Sequence, residues 1–312
     1  EVTYSRNVYR TETEEGQTAH VFLLDEAMHM DKIGLISTNL AEKIALTVTE
    51  SPYRVTAEQI SSTCGQSISA GGVWNMMQRL GERIDEEELH AVKQMNADQS
   101  EGEKEIPVLF EEMDGVWLNF QDAHHKKMKK QEMKVFTMYE GWDEEKEKQK
   151  RSTLVGKTML AGMEKSTEFH EKREACIRKK YNADEIGQRI LNGDGGSWIK
   201  EPYDPDTIFQ LDRYHIYQEI LRKISHKEAQ KEIRRLFDEE KIEEMLEYIQ
   251  IYATSVASPD EKDNSSKNAM ELYQYLNNNK EGLLPYNKRG IAIPEPKEGL
   301  LYKGMGIQET QN

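Results

Sequence analysis

Two aspartates sit beside glycine at the ends of apolar runs. Asp114 follows Phe110-Glu111-Glu112-Met113 and precedes Gly115-Val116-Trp117, and Asp194 lies in Ile190-Leu191-Asn192-Gly193-Asp194-Gly195-Gly196-Ser197-Trp198. Glycine next to a carboxylate lets the backbone or a phosphate come close, and strand ends in α/β sheets are common ligand sites. Two carboxylates offered from neighbouring strands hold Mg²⁺, which prefers hard oxygen donors and keeps an incomplete protein cage with room for phosphate and water. That is the chemistry of phosphodiester cleavage. The plainer alternative is that each Asp-Gly is a turn, an argument stronger for Asp114 than for Asp194 in its Gly-Asp-Gly-Gly setting.

The surrounding texture implies a mixed α/β sheet that carries these acids. Strands are expected at Ile106 to Met113, Gly115 to Phe120 and Met133 to Trp142, with Asp114-Gly115 as a tight turn between the first two. A helix over Ser166 to Tyr181 and strands at Arg189 to Asn192 and Ile208 to Leu211 complete the alternation. From Tyr214 to about Asn278 the pattern is helical, with Ile220, Ile224, Ile233, Phe237, Met245 and Ile249 as an apolar stripe and a break at Ser258-Pro259. This segment reads as an α-helical insertion. The tail from Leu283 to Asn312 is punctuated by Pro and Gly and stops abruptly, as a truncated return to the core.

Upstream, Val2 to Tyr9 and His20 to Leu24 flank the polar turn Glu14-Glu15-Gly16-Gln17 and read as a hairpin. Ser37 caps a helix bearing Leu40, Ile44 and Val48, which Ser51-Pro52 ends. Thr56 to Gln59 has the form of a capping box for a short helix. A turn at Cys64-Gly65-Gln66 and a cap at Ser69 lead to a helix with Val73, Trp74, Met77 and Leu80, a helix-turn-helix pattern shared with ordinary helical bundles. Asn75, Gln78 and Arg79 are its candidates for DNA contact. A charged helix from Glu82 to about Gln99 serves as a spacer. The expected organisation is thus an N-terminal hairpin region (1–35), a helix-turn-helix region (36–100), a catalytic core (101–215), the insertion (216–282) and the return to the core (283–312).

Composition narrows the classes. At 312 residues the chain has room for two or three domains. Its apolar content is 37% and no apolar run nears the roughly 20 residues that span a bilayer, so no membrane association is expected. The chain opens with Glu1 and reads as a fragment without a leader, and its only cysteines, Cys64 and Cys176, lie far apart, which suits the cytoplasm. A net charge of -15 speaks against diffuse, charge-driven DNA binding. Contact with phosphates must then come from local patches: Lys126, Lys127, Lys129 and Lys130, with His124, His125 and Lys134, or a stripe of Arg222, Lys223, Lys227, Lys231, Arg234 and Arg235. Either set also reads as an ordinary solvated or salt-laced surface. Trp117, Trp142 and Trp198 are expected in the core.

The segments LFEEMDGVWL, YEGW, ILNGDGGSWIK and FQLDRYH resemble, in order and spacing, insertion-sequence transposases of the ISLre type, distant relatives of the Mutator-like group. The resemblance implies a bacterial DDE transposase with a ribonuclease H-like fold, an α-helical insertion before the last acid, and two Mg²⁺ or Mn²⁺ ions. It implies Asp114 as first acid, Asp194 as second, and Asp212 with His215 as the following D-x-x-H element. Glu309, beyond Gly304-Met305-Gly306, is the candidate third acid, with Glu295, Glu298, Glu111 and Glu112 as rivals. His215 has two roles open: contact with a scissile phosphate or orientation of a carboxylate, against simple packing on Asp212. The implied reaction is metal-dependent cleavage and strand transfer of double-stranded DNA at transposon ends and target, by a homo-oligomer associated with the nucleoid. The alternatives are a non-catalytic DNA-binding regulator, a decayed transposase remnant, or a stand-alone nuclease.

Overall fold

The computed structural model describes residues 7–12, 18–24, 32–33, 36–65, 67–100, 102–122, 126–200, 206–258 and 263–306. Its contacts divide the chain into two units, Glu1–His90 and Ala91–Asn312. Among the described residues no helix is long and apolar enough to cross a membrane.

In the first unit β1 (Tyr9–Glu12) pairs antiparallel with β2 (Thr18–Val21), and β3 (Lys32–Ile33) with β4 (Ile36–Ser37). A hairpin is present, its strands overlapping the expected segments at Tyr9 and at His20–Val21 but shifted towards the turn; Val2 to Arg6 and the 14–17 turn fall outside the described residues. Three helices follow: α1 (Thr38–Glu50), α2 (Tyr53–Cys64) and α3 (Ala70–Asn96). Ser37 caps α1 through its hydroxyl, and Ser69 Oγ accepts the Gly72 N–H at 3.0 Å ahead of α3. The capping box at Thr56 does not form. Pro52, with φ already helical at -60°, starts α2 three residues earlier, and Thr56 is buried inside it with its hydroxyl donating to Ser51 O.

Gly65 ends α2 in the left-handed conformation (φ 65°) that glycine adopts without strain. Ala41, Ile44, Ala57, Ile60, Val73 and Met76 join the three helices in one core. The supposed recognition helix and charged spacer form a single 27-residue helix, because Gly81 alone does not break a run of strong helix formers. Asn75, Gln78 and Arg79 are exposed on it, and so is Trp74.

The second unit is built on a five-stranded mixed sheet. In chain order its elements are β5 (Lys104–Leu118), β6 (Gln131–Tyr139), β7 (Gly141–Asp143), α4 (Glu144–Lys148), β8 (Leu154–Val155), β9 (Thr158–Gly162), α5 (Ser166–Lys180) and β10 (Tyr181–Gly193). Then come α6 (Ser197–Lys200), β11 (Ile208–Leu211), the helices α7 (Arg213–Lys223), α8 (Lys227–Asp238), α9 (Ile242–Ser255) and α10 (Ser265–Asn278), and β12 (Leu300–Leu301). The spatial order is β11-β10-β5-β6-β9. β5, β6 and β9 are antiparallel neighbours, whereas β10 runs parallel to both β5 and β11.

Asp114-Gly115 is not a turn. The pairing of β5 with β6 runs straight through it, Asp114 opposite Val135 and Gly115 opposite Lys134. A Cβ on Gly115 would meet only the Glu132 side chain, whose flexible carboxylate end can turn aside, so the strand accepts glycine there without requiring it. The chain reverses instead between Leu118 and Gln131. The third expected strand is split, since Gly141, at φ 139°, diverts the chain after β6 into β7, which pairs with β8 and β12. β9 carries no period-2 signal strong enough to be read from the sequence, while β11 spans the expected residues.

Alternation along β5 gives the sheet two different faces. Leu109 and Met113 join Phe136, Met138, Phe169, Ile177 and Leu191 under α5. Val108 and Phe110 join Tyr139, Trp142, Ile190 and Tyr286 on the other side, which the C-terminal stretch covers. Each fully buried aromatic or leucine side chain contributes about 1.5–3 kcal/mol. Trp117 departs from expectation and is 58% exposed, because β5 continues past the end of β10 and is flanked there on one side only. All six residues of the expected helical stripe are buried together among α7 to α10.

Candidate metal centre

β10 stops at Gly193, which is in register with Met113 of β5 and Leu211 of β11. The next residue on each chain is an aspartate. Asp114, within β5, and Asp194 and Asp212, just past the ends of β10 and β11, are therefore at one level on three neighbouring parallel strands, which are about 5 Å apart. Asp212 N–H donates to Gly193 O at 2.9 Å, so the alignment holds one step beyond the ladder.

Two residues back on each strand is another polar side chain: Glu112, Asn192 and Gln210, all buried and on the same face as the acids. They are wired together. Gln210 Nε2 donates to Asn192 Oδ1 (3.1 Å), and Asn192 Nδ2 donates to Asp212 Oδ2 (2.6 Å). Tyr286 N–H fixes Gln210 Oε1, and the Tyr139 hydroxyl donates to Glu112 Oε1 at 2.7 Å. Buried polar groups persist where they are satisfied in this way.

The three aspartates are not equivalent. Asp212 caps α7: one oxygen accepts from the N–H groups of Tyr214 and His215, and the other from Asn192. It orients the site. Asp194 Oδ1 accepts the Gly196 N–H at 2.7 Å, closing a turn over Gly195, whose φ of 81° favours glycine. Asp114 Oδ1 accepts the Gly115 N–H and lies 3.6 Å from His215 Nε2. Burial alone would lower the His215 pKa, but the carboxylates of Asp114, Asp212 and Asp194 outweigh it and push it up to about 9. His215 thus feels the charge of all three acids, and its ring nitrogen lies beside Asp114 while its main-chain N–H bonds to Asp212.

A cleft of about 300 Å³ opens beside them, lined by Asp194, His215, Glu219, Arg222, Lys223, Glu271 and Tyr275. Among the described residues no group of three or more His, Cys, Asp or Glu is placed so that it could hold a metal ion. Mg²⁺ does not require such a group, being held by one or two carboxylates completed by phosphate and water. Asp114 and Asp194 carry the oxygen donors that such a site uses. Glu309 lies outside the described residues, but the chain leading to it arrives here: Gly306 N–H donates to Glu112 Oε1 at 3.2 Å, and a Cβ on Gly306 would stand 3.3 Å from Asp212 Oδ2.

The rivals are placed elsewhere or otherwise engaged. Glu111 points to the opposite face, between Arg173 and Arg189. Glu112 is fully buried against Tyr139 and Gly306. Glu298 follows Lys297, which donates to Glu105 O at the far end of β5, about 30 Å from Asp114 at 3.3 Å per residue. Glu295 is exposed near the Tyr302 hydroxyl.

Lys126, Lys127, Lys129 and Lys130 are exposed in the hairpin beyond the acid end of β5, while His124 and His125 lie outside the described residues. Lys134 turns inward instead, donating to Glu164 O at 2.7 Å, so it leaves the patch. In the helical stripe Arg222, Lys223, Lys231 and Arg235 are paired with Glu219, Glu271, Glu228 and Glu232, the salt-laced arrangement. Sequence reasoning missed Asn192, Gln210 and Tyr275. For the first two there was a signal: Glu-x-Asp at 112–114, Asn-x-Asp at 192–194 and Gln-x-Asp at 210–212 are one pattern repeated at three strand ends.

The model of the uncharacterised protein family UPF0236 matches residues 1–305. A search of the curated proteins finds no match.

Proposed function

The chain belongs to the UPF0236 family over nearly its whole length, and from that premise we propose that it is a DDE-type transposase acting on double-stranded DNA with Mg²⁺ or Mn²⁺. The observation that carries this reading is the alignment of Asp114, Asp194 and Asp212 on three neighbouring parallel strands, at the level where β10 and β11 end, with a histidine as their shared counter-charge. The strand order and directions, three antiparallel strands followed by two parallel ones added on the first, support a ribonuclease H-like core. A helical segment between the second acid and the Gly306 approach fits the insertion that the ISLre-type resemblance implies.

Asp114 and Asp194 would hold the cations, with Glu309 as third acid delivered by the segment that Glu112 anchors. When bound, two divalent ions supply an activated water and neutralise charge on the leaving oxygen. A water oxygen forms a bond to phosphorus in line with the breaking P–O3′ bond, and the released strand keeps a 3′-hydroxyl. That hydroxyl repeats the displacement on target DNA. Asp212 fixes the start of α7, and His215 on that helix holds positive charge against Asp114, next to where a scissile phosphate would lie. Asn75, Gln78 and Arg79 would read DNA through the first unit, and Lys126, Lys127, Lys129 and Lys130 would bind phosphates beside the cut. A homo-oligomer on DNA, in the nucleoid, belongs to the same reading.

The test is a cleavage assay on DNA carrying the element's terminal repeats. Asp194→Asn is expected to retain DNA binding and to lose Mg²⁺-dependent cleavage; cleavage at the wild-type rate overturns the proposal. A DNA-binding regulator without chemistry is favoured by one observation, that no three metal-binding side chains gather among the described residues. Calorimetry separates the two, since a regulator gives no heat with Mn²⁺.

A further inference from the structure

Asp194 is held from an unexpected direction. The Tyr275 hydroxyl, on α10 of the helical segment, donates to the main-chain oxygen of Asp194 at 2.8 Å across 81 residues of sequence. Burial, helped by the Asp194, Glu219 and Asp212 carboxylates, pushes the Tyr275 phenol well above its usual range, so it remains a donor.

Two further contacts bring the same segment against the same helix end, which is itself braced by a third. Asn279, just past α10, donates from Nδ2 to Tyr275 O at 2.7 Å. Its Oδ1 is buried without a hydrogen-bond partner and faces Gly195, where a Cβ would stand 2.8 Å away. Lys200, at the end of the loop that carries Asp194, donates to Asn278 O at 3.3 Å. The loop is thus pinned at both ends to the last turn of α10.

We infer that Tyr275 is a positioning residue for cation binding: it fixes the peptide that follows Asp194 and so sets where the Asp194 carboxylate stands relative to Asp114. The inference rests on the metal-binding reading of the site. On that reading the helical segment is part of the centre, because the main chain of one metal-binding carboxylate is anchored in it. A hydroxyl on a main-chain oxygen sets where the carboxylate stands without touching its charge. Removing the hydroxyl therefore acts on cation affinity before it acts on fold.

The experiment is a Mn²⁺ titration followed by electron paramagnetic resonance, on the full chain, for the wild type and Tyr275→Phe, with melting curves alongside. The ring and its packing survive the substitution, and Mn²⁺ binding is expected to weaken by about 10- to 100-fold, the usual effect of removing an outer partner of a metal ligand. Cleavage lost at low Mn²⁺ should return at saturating Mn²⁺, a recovery that damage to the fold would not allow. Lys200→Met is the second variant. Removing a positive charge near the site would by itself tighten cation binding, whereas loosening the loop weakens it, so weaker binding supports the inference and tighter binding overturns it. Equal Mn²⁺ affinity in the wild type and Tyr275→Phe overturns it alone. Absence of Mn²⁺ binding in the wild type overturns the proposed function as well.

Discussion

Glu111 and Glu112 are consecutive residues of one strand, both fully buried, and they belong to opposite worlds. Glu111 faces α5 and lies between two arginines, Arg173 Nη2 at 2.7 Å and Arg189 Nε at 2.7 Å, with Arg189 also paired to Glu174. On the other face Glu112 is followed by Asp114, which with Asp194 and Asp212 has His215 as cationic partner. One side of the sheet neutralises its acids in full. The other gathers acids faster than it supplies cations, and an excess of carboxylate at strand ends is what a divalent ion would stabilise. Compensation, more than the number of acids, separates a structural cluster from a candidate site.

The largest expected effect is on the compensated side. Glu111→Gln leaves two buried guanidinium groups without their carboxylate, and unfolding in urea should show a loss of about 3–5 kcal/mol. Asp194→Asn, on the other face, relieves like-charge repulsion and should leave metal-free stability unchanged or raise it by about 0.5–1 kcal/mol, even as cleavage is lost. If both substitutions destabilise equally, the contrast between the faces is wrong.

Acid sharpens the comparison further. Burial would raise the Glu111 pKa, but Arg173 and Arg189 prevail and hold it at about 2, below its ordinary 4.5. Its contribution is present in full above about pH 4.5 and drains away as pH falls towards 2, for a loss of about 3 kcal/mol. Melting temperature against pH should show this slope in the wild type and lose it in Glu111→Gln. The smallest effect concerns the hairpin. Replacing Lys129 and Lys130 by Ala should lower the slope of log affinity against log salt by about 1–2 for any DNA sequence; an unchanged slope removes the hairpin from the DNA-binding surface.

Much of this was visible in the sequence, and the failures have physical causes. The strand at Ile208–Leu211 and the apolar stripe of the helical segment are legible in local patterns, because each is dictated by neighbours a few residues apart. Asp114-Gly115 misled, since the dipeptide suits a turn, and only pairing with the distant Lys134 and Val135 keeps it within a strand. Thr56 misled likewise, a good cap pre-empted by Pro52. Whether Glu111 or Glu112 faces the acids depends on register with β10, which no window of sequence contains. Tyr275 was out of reach for the same reason, its partner lying 81 residues away.

The bond between Gly306 and Glu112 spans 194 residues. During synthesis at about 5–20 residues per second, roughly 10–40 s separate the emergence of Glu112 from that of the glycine that docks on it. Glu112 therefore emerges well before the residue that bonds to it, and the two meet only after β10, β11 and the helices α7 to α10 have been made.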